Sequence, residues 1–549
     1  MNIKLNYSAI LCLLSLVVGI SCTDLLTEKP ASYYATANFF TNPANANMAI
    51  IGIYDVMSKL DSYGEKEMYM PCSDDNYTMA SPMVNDNDRR NITFYWVVPQ
   101  NNFLITLWTN KYLGINRANF AISNIQKMPG YLGSDSTILR KYEGEARFLR
   151  AVMSYDLVKY WGDVPYKTDP TSTVAQAYTG RVNRDSIYNQ IVKDLTIAKL
   201  RLPWATSATT PEHATSGAAR AMLMRVLLSR AGYSLKIDGN LTRPDDATRT
   251  AYFNAIVAEG DTFLLNGYHN LYPSYYGFFK NNSAGIASSS ESIYEVAFYS
   301  ATGSSEDSGF WGTSIGPATD VNSPYGRANS FFRAIPEWDA WYDSTDPRRY
   351  TNICKYSINA KGDSVSTSNK ALWYPGKWRR QWMLGKAKDP NNTDVNFCLL
   401  RYADVLLMYA EALNELGRTT DAITALNLIR ARAKIALLKS DFSNYTVIYK
   451  APKVKNLSYI QDADNQGKFR TALYWERGFE LCYEGTRKYD LIRWGILYEA
   501  LINTTTAAFT TDYPPKINFI KGKHELFPIP QREMDVNVSL NHINNPGYN

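Results

Sequence analysis

The stretch "RYADVLLMYAEALNELGRTTDAITALNLIRARAK", Arg401 to Lys434, constrains the fold more than any other part of the chain. Tyr402, Leu406, Tyr409 and Leu413 recur at helical spacing and share one face. Gly417 follows where a helix C-cap belongs, since glycine takes the left-handed backbone without a Cβ penalty. Ala422, Leu426, Ile429 and Ala433 then repeat the spacing. Two such helices joined by a short turn form an antiparallel hairpin, and the small side chains of Ala410 and Ala422 let the backbones approach closely. Ala410, Leu413, Gly417, Ala422 and Leu426 occupy signature-like places of a tetratricopeptide unit. One such unit cannot bury its apolar face alone, so the chain must supply further pairs.

Weaker periodicity supplies them. Lys111 to Met128 is expected to pair with Leu139 to Tyr160, and Asp185 to Leu202 with Gly217 to Gly232. Further helices are expected over Ala251 to Leu265, Ala472 to Cys482 and Arg487 to Leu501. Residues 266–396 differ: they are rich in Gly, Ser, Asn, Tyr and Trp, with few helical faces, and "SIYEVAFY" reads as a short strand. The expected fold is therefore mostly α, a superhelix of tetratricopeptide-like helix pairs carrying a loop-rich, partly β face. Loops on a rigid scaffold are where binding usually resides. The expected organisation is a leader at 1–21, a helical N-terminal region at 22–265, and a C-terminal region at 266–549. The last has variable loops over 266–396 and a helical block over 397–501.

The N-terminus has its own pattern. Lys4 precedes an apolar run from Ala9 to Ile20, too short to span a bilayer comfortably, and Gly19-Ile20-Ser21-Cys22 follows. These read as a secretory leader ending in a bacterial lipobox, though Ile20 departs from the small residue usual there. Cys22 is then the lipid attachment residue. Each buried methylene of its acyl chains contributes roughly 0.8 kcal/mol, so two or three chains hold a protein stably on a membrane. The later cysteines, Cys72, Cys354, Cys398 and Cys482, show neither CxxC nor metal-ligand spacing.

Several stretches together resemble the SusD/RagB family of outer-membrane nutrient-binding lipoproteins. They are Cys22-Thr23-Asp24-Leu25-Leu26, "RAVMSYDLVKYWGDVPY" from Arg150, Asp346-Pro347-Arg348-Arg349, and "LLRYADVLLMYAEALNELG" from Leu399. "ERGFELCYEGTRKYDLIRWG" from Glu476, "ELFPIPQREMDVN" from Glu525 and Asn545-Pro546-Gly547-Tyr548 complete the set. The resemblance implies a lipid anchor on a Gram-negative outer membrane and a SusC-like TonB-dependent transporter as partner. It implies a glycan ligand or, in some members, a peptide. Most matched motifs are structural: Glu480, Arg487, Asp490, Arg493 and Trp494 read as scaffold packing and ion pairing.

Other function classes find little support. The net charge is +6, with Lys and Arg scattered rather than gathered into a nucleic-acid arm. The four histidines, His213, His269, His524 and His542, do not take zinc-enzyme spacing, and neither a metal nor a cofactor is expected. "GTSIG", Gly312 to Gly316, fits G-x-S-x-G, but Pro317 follows at once where a nucleophile elbow around Ser314 needs a helix. "DADNQG", Asp462 to Gly467, opens like a calcium loop, but Leu473 stands where a bidentate Glu is required. No enzyme activity is expected.

The aromatic content, 13% with 40 Tyr and 12 Trp, exceeds what core filling usually demands. Trp311 in "SGFWGTS" and Tyr325 in "NSPYGRANS" sit among small polar residues that cannot bury them locally. A flat ring of this kind stacks on a sugar's apolar face while polar neighbours bond its hydroxyls. Tyr77 and Trp96 bracket a second polar stretch in which Asn76, Asp86 and Arg90 are available as hydrogen-bonding partners. The expected ligand residues are therefore Trp311, Tyr325, Trp96, Tyr77 and Asn76. The alternatives are a peptide-binding member of the same family, a glycan-degrading enzyme whose paired carboxylates spacing cannot reveal, and a scaffold that binds no small ligand.

Overall fold

The computed structural model of the protein describes residues 39–80, 88–300, 306–383, 389, 391–449, 457, 459, 462–504 and 513–548. Cys22 and Asp86 lie outside the described residues. The first helices are α1 (Pro43–Ser58), α2 (Asn102–Ile125), α3 (Ser136–Trp161), α4 (Arg184–Arg201), α5 (Ser216–Ala231) and α6 (Asp246–Asn266). Each packs on the next in sequence, as stacked helix pairs must to bury their apolar faces. Their starts are set by polar caps. Asn42 accepts from the Asn45 amide with Pro43 at the first turn, Asn101 from Phe103 and Leu104, and Asp245 from Thr248. The helices expected from Lys111 and Ala251 therefore begin earlier than their apolar periodicity suggests.

The loop-rich region and segments paired to it carry α7 (Tyr275–Ser283) and short strands: β1 (Tyr77–Met79) from the N-terminal region, β2 (Ser292–Val296), β3 (Phe332–Ala334), β4 (Ile353–Cys354), β5 (Tyr356–Ile358), β6 (Ser364–Ser366), β7 (Tyr374–Pro375), and β8 (Phe397–Arg401) just beyond it. They form two-stranded antiparallel pairs, β1 with β3, β4 with β7, β5 with β6 and β2 with β8. β2 is the strand expected from "SIYEVAFY", shorter than that stretch. The chain then returns to helix in α8 (Tyr402–Glu415), α9 (Thr419–Arg432), α10 (Asn465–Glu480) and α11 (Arg487–Arg493). α8 and α9 form the expected hairpin. Gly417 takes φ +77° between them, and the Arg418 amide donates to the Leu413 carbonyl at 2.9 Å, closing the helix end. Gly495, at φ +77°, splits the helix expected over Arg487 to Leu501.

Asp464 is a helix cap, accepting from the Gly467 amide at 2.7 Å, which accounts for the calcium-like "DADNQG" without an ion. Ser314 is buried within irregular chain, with no helix after it. Cys72, Cys354, Cys398 and Cys482 are free and buried. Among the described residues no helix is long and apolar enough to cross a membrane.

A buried ion network joins the loops to the helices. Glu480, near the end of α10, meets Arg348 at 3.2 Å, Arg401 at 2.7 Å and Arg432 at 2.5 Å. Glu476, one turn earlier, meets Arg348 at 3.1 Å and also Arg430. Arg401 reaches Glu291 at 3.0 Å and Glu484 at 2.6 Å. Arg348 closes the set on Asp346 at 2.7 Å. Arg348 and Glu291 belong to the loop-rich region, Arg430 and Arg432 to α9, Glu476 and Glu480 to α10, and Glu484 to the residues after it. A charge placed here without its partners would be costly, so the network tolerates no single deletion. Arg477 binds Asp404 and Asp490, Arg487 binds Asp75, and Arg493 binds Glu411 and Asp490, as scaffold pairs.

Burial opposes ionisation of Glu480, yet Arg432, Arg401 and Arg348 outweigh it and hold its carboxyl well below the usual range. Asp404 behaves alike: burial pushes it up, but Arg477 and Arg225 bring it down to about 2. Both carboxyls have a lower pKa folded than unfolded. Their stabilisation is complete above the unfolded value of about 4 and is lost as pH falls toward about 2. Asp74, pushed up to about 8 by burial and by Asp75 beside it, acts in the opposite sense, and its contribution is lost as pH rises through that value. Urea unfolding should show stability declining from pH 5 toward 2. Arg401→Met, which strips a cation from three glutamates, should cost about 3–5 kcal/mol at pH 7. A cost under about 1 kcal/mol would contradict this role of the buried ion network.

Candidate functional site

The expected ligand residues occupy two kinds of place. Trp311 is only 3% exposed. Its ring stacks on Phe397 at 4.3 Å and 16°, tilts against Trp378 at 4.9 Å, and donates from Nε1 to the Tyr63 carbonyl at 3.1 Å. Tyr77 is equally buried on β1, between Phe332 and Tyr483. Both line one cavity of about 70 Å³, which admits several waters but is small beside pockets that hold drug-sized ligands. Asn76 is buried next to them. Its carbonyl accepts from the Ile335 amide at 2.8 Å, and its own amide N–H donates to Asp74 at 2.6 Å in a tight turn. The side-chain amide of Asn76 has no partner among the described residues.

Trp96 and Tyr325 lie elsewhere. Trp96 is 39% exposed. It follows Tyr95, whose φ of +58° turns the chain outward and whose hydroxyl donates to the Ser73 carbonyl at 2.8 Å. That bond links the Trp96 stretch to the turn bearing Asn76 and Tyr77. Tyr325 is half-buried beside Gly362, and its carbonyl accepts from Arg379's neighbour, Arg380, at 2.8 Å. The structure thus brings Trp311, Tyr77 and Asn76 inside the body, and leaves Trp96 and Tyr325 offering ring surface from without. Trp311 is the departure from expectation: its small polar neighbours in sequence do not cover it, but Phe397, Trp378 and Tyr63 arrive from distant segments and do.

Sequence reasoning missed a surface aromatic group. At the start of α7, Tyr275 points inward, its hydroxyl donating to Asn352 at 2.8 Å, so the next residue, Tyr276, faces out and is 44% exposed. Its ring meets the edge of Trp382 at 5.1 Å. The Arg379 guanidinium lies 4.4 Å from the Trp382 ring, 5.8 Å from Tyr356 and 5.9 Å from Tyr276. Arg379 also donates to the Tyr356 hydroxyl at 2.9 Å and to the carbonyl of Tyr350 at 2.9 Å. Tyr350 itself is 63% exposed. Beneath these rings, Tyr275, Phe278, Phe279, Trp382 and Cys398 form a small apolar cluster apart from the main core. The doubled tyrosine of "SYYGFF" was the one signal available, since consecutive helix residues point about 100° apart and one of a pair at a helix start often faces solvent.

A second opening of about 210 Å³ lies at the far end of α7, lined by Glu212, Glu295, Asp394, Asn282, Asn396 and Phe298. Its groups bond one another: the Asn396 amide donates to Glu212 at 2.8 Å and Glu295 at 3.1 Å, and Ser292 donates to Glu295 at 2.6 Å. Burial pushes the Glu295 carboxyl up, with Ser292 and Asn396 opposing.

Comparison with known proteins fits this architecture. A family model described as "SusD family" matches residues 291–548, and one described as "Starch-binding associating with outer membrane" matches residues 24–228. SusD-like protein P2 of Formosa agariphila is 26% identical over 557 residues, spanning 99% of this chain and 100% of that protein. The crystal structure of a SusD homolog from Bacteroides thetaiotaomicron superposes with a TM-score of 0.79 at 26% identity, covering 93% of this chain and 98% of that one. The surface glycan-binding protein A of the same organism, in complex with laminarihexaose, shares the fold with a TM-score of 0.65 at 19% identity, over 90% of this chain and 97% of that one.

Trp311→Ala should lower stability by about 3–5 kcal/mol, the cost of emptying a buried tryptophan site, with any binding loss following from the fold. Denaturant unfolding beside a binding assay checks this. A variant that keeps full stability yet loses its ligand would place Trp311 at the ligand instead.

Proposed function

This chain belongs to the SusD/RagB family, and from that premise we propose that it is a surface lipoprotein that captures a glycan and passes it to a SusC-like TonB-dependent transporter. Family membership across both halves of the chain carries the reading, together with a relative of the same fold described in complex with laminarihexaose. The mechanism is binding and hand-off without covalent chemistry. Helix pairs supply a scaffold, and its loops present aromatic rings to solvent. Trp96 and Tyr325 offer ring surface for a sugar, while Trp311, Tyr77 and Asn76 lie inside the body. Stacking removes apolar ring area from water, and neighbouring polar groups replace the hydration of sugar hydroxyls.

Cys22 is the anchor in this reading, placing the protein on the outer membrane with its loops toward the exterior. Acylation holds the chain there but leaves it free to pivot over a barrel partner. A stable complex with that partner should bury more than ~1,000 Å².

The test is binding of the mature chain to a panel of soluble polysaccharides and peptides, with product assayed. The expected result is retention by at least one polysaccharide with no reducing sugar released. It should weaken in Trp96→Ala or Tyr325→Ala while their stability stays within about 0.5 kcal/mol of the parent. Binding to peptides alone, or release of reducing sugar, would contradict the proposal.

A further inference from the structure

We propose that the Tyr276–Arg379–Tyr350 group is a separate binding site for an anionic sugar ring, one carrying a carboxylate or a sulfate. The inference rests on the glycan-capture reading and names the chemistry of ligand it favours. None of the residues Trp311, Tyr325, Trp96, Tyr77 or Asn76 belongs to this group.

The first observation is geometric. Tyr276 and Tyr350 are large rings left exposed, the first with its ring packed and the second with its backbone anchored. Tyr276 is held edge-on to Trp382 over its own apolar cluster, and the backbone of Tyr350 is anchored by its carbonyl bond to Arg379. The Arg349 guanidinium lies 5.5 Å from the Tyr350 ring. A phenol held this way gives up little further entropy when a ring stacks on it. Polar groups stand beside the rings. The Tyr356 hydroxyl accepts from Gln381 at 2.9 Å, and Gln381 Oε1 has no donor among the described residues.

The second observation is charge. Arg379 donates to the carbonyls of Gly376, Tyr350 and Thr351 and to the Tyr356 hydroxyl, but among the described residues it meets no carboxylate. Its hydrogen bonds are largely satisfied while its charge is not neutralised. Nearby, Arg349 and Lys355 share a single carboxylate, Asp339, at 2.8 and 2.6 Å. Among the described residues, these three cations thus have one carboxylate between them, Asp339. A neutral sugar would use only the rings. An anionic one would also offset the unmatched charge, in a partly desolvated place where attraction exceeds that in bulk water.

The whole mature chain is tested by isothermal titration against polygalacturonate, chondroitin sulfate and laminarin, at low and high salt. The expected result is binding to a charged glycan that weakens with salt. It should fall about tenfold in Tyr276→Ala and in Tyr350→Ala, whose exposed rings leave the melting temperature unchanged. Lys355→Gln should weaken the charged glycan and spare laminarin. Polygalacturonate against chondroitin sulfate separates carboxylate alone from added sulfate. Laminarin binding indifferent to all three variants, with no charged glycan bound, would overturn this site and leave glycan capture standing. Charged-glycan binding unaffected by the variants would overturn it equally, and no glycan bound at all would remove both readings.

Discussion

The structure depends on Glu480. This one carboxylate, in the interior, receives arginines from three segments: Arg348 from the loop-rich region, Arg401 from the end of β8, and Arg432 from α9. Without it three arginines would lose a shared partner at the point where the loops meet the helix pairs, leaving Glu476 and Glu291 to hold them. Apolar packing gives the body its cohesion but little direction. The charge network supplies direction, because a guanidinium satisfies its donors only in a few geometries. An uncompensated charge here would be so costly that alternative dockings of the loops are excluded.

That clamp bears on function through rigidity. A glycan-binding face gains from rings that are already in place, since each side chain ordered on binding subtracts from affinity. The segments that carry these rings are held by partners outside their own loops: Tyr276 by Trp382, the Tyr350 backbone by Arg379, and the Trp96 stretch through Tyr95 to Ser73. The cavity that gathers Trp311 and Tyr77 is small, and the exposed rings are spread over the surface. Such an arrangement suits a long polymer held at separate points better than a small molecule enclosed in a pocket.

Much of this was legible in the sequence, and the failures have physical causes. The α8–α9 hairpin was readable because its helices are amphipathic and Gly417 marks the turn. α1 was overlooked although Asn42 and Pro43 signal its start, and α2 and α6 begin earlier than their apolar stripes because Asn101 and Asp245 fix those ends. Local context suggested that Trp311 was exposed, but Phe397 and Trp378 cover it from far along the chain. Long-range cover of that sort leaves no trace in neighbouring residues. Tyr276 failed in the opposite direction, its place in an apolar run hiding the outward turn. Ion pairing of Glu480, Arg487, Asp490 and Arg493 was anticipated from their motifs. Which arginine meets which carboxylate was not, since pairing across segments depends on the fold.

The most direct measurement is hydrogen exchange of the mature chain with and without a bound polysaccharide. Capture by the loop-bearing face predicts slowed exchange in peptides covering 88–103 and 306–383, with α1 to α6 outside those spans unchanged. Protection confined to the faces of α1 to α6, or no protection under saturating ligand, would contradict the account.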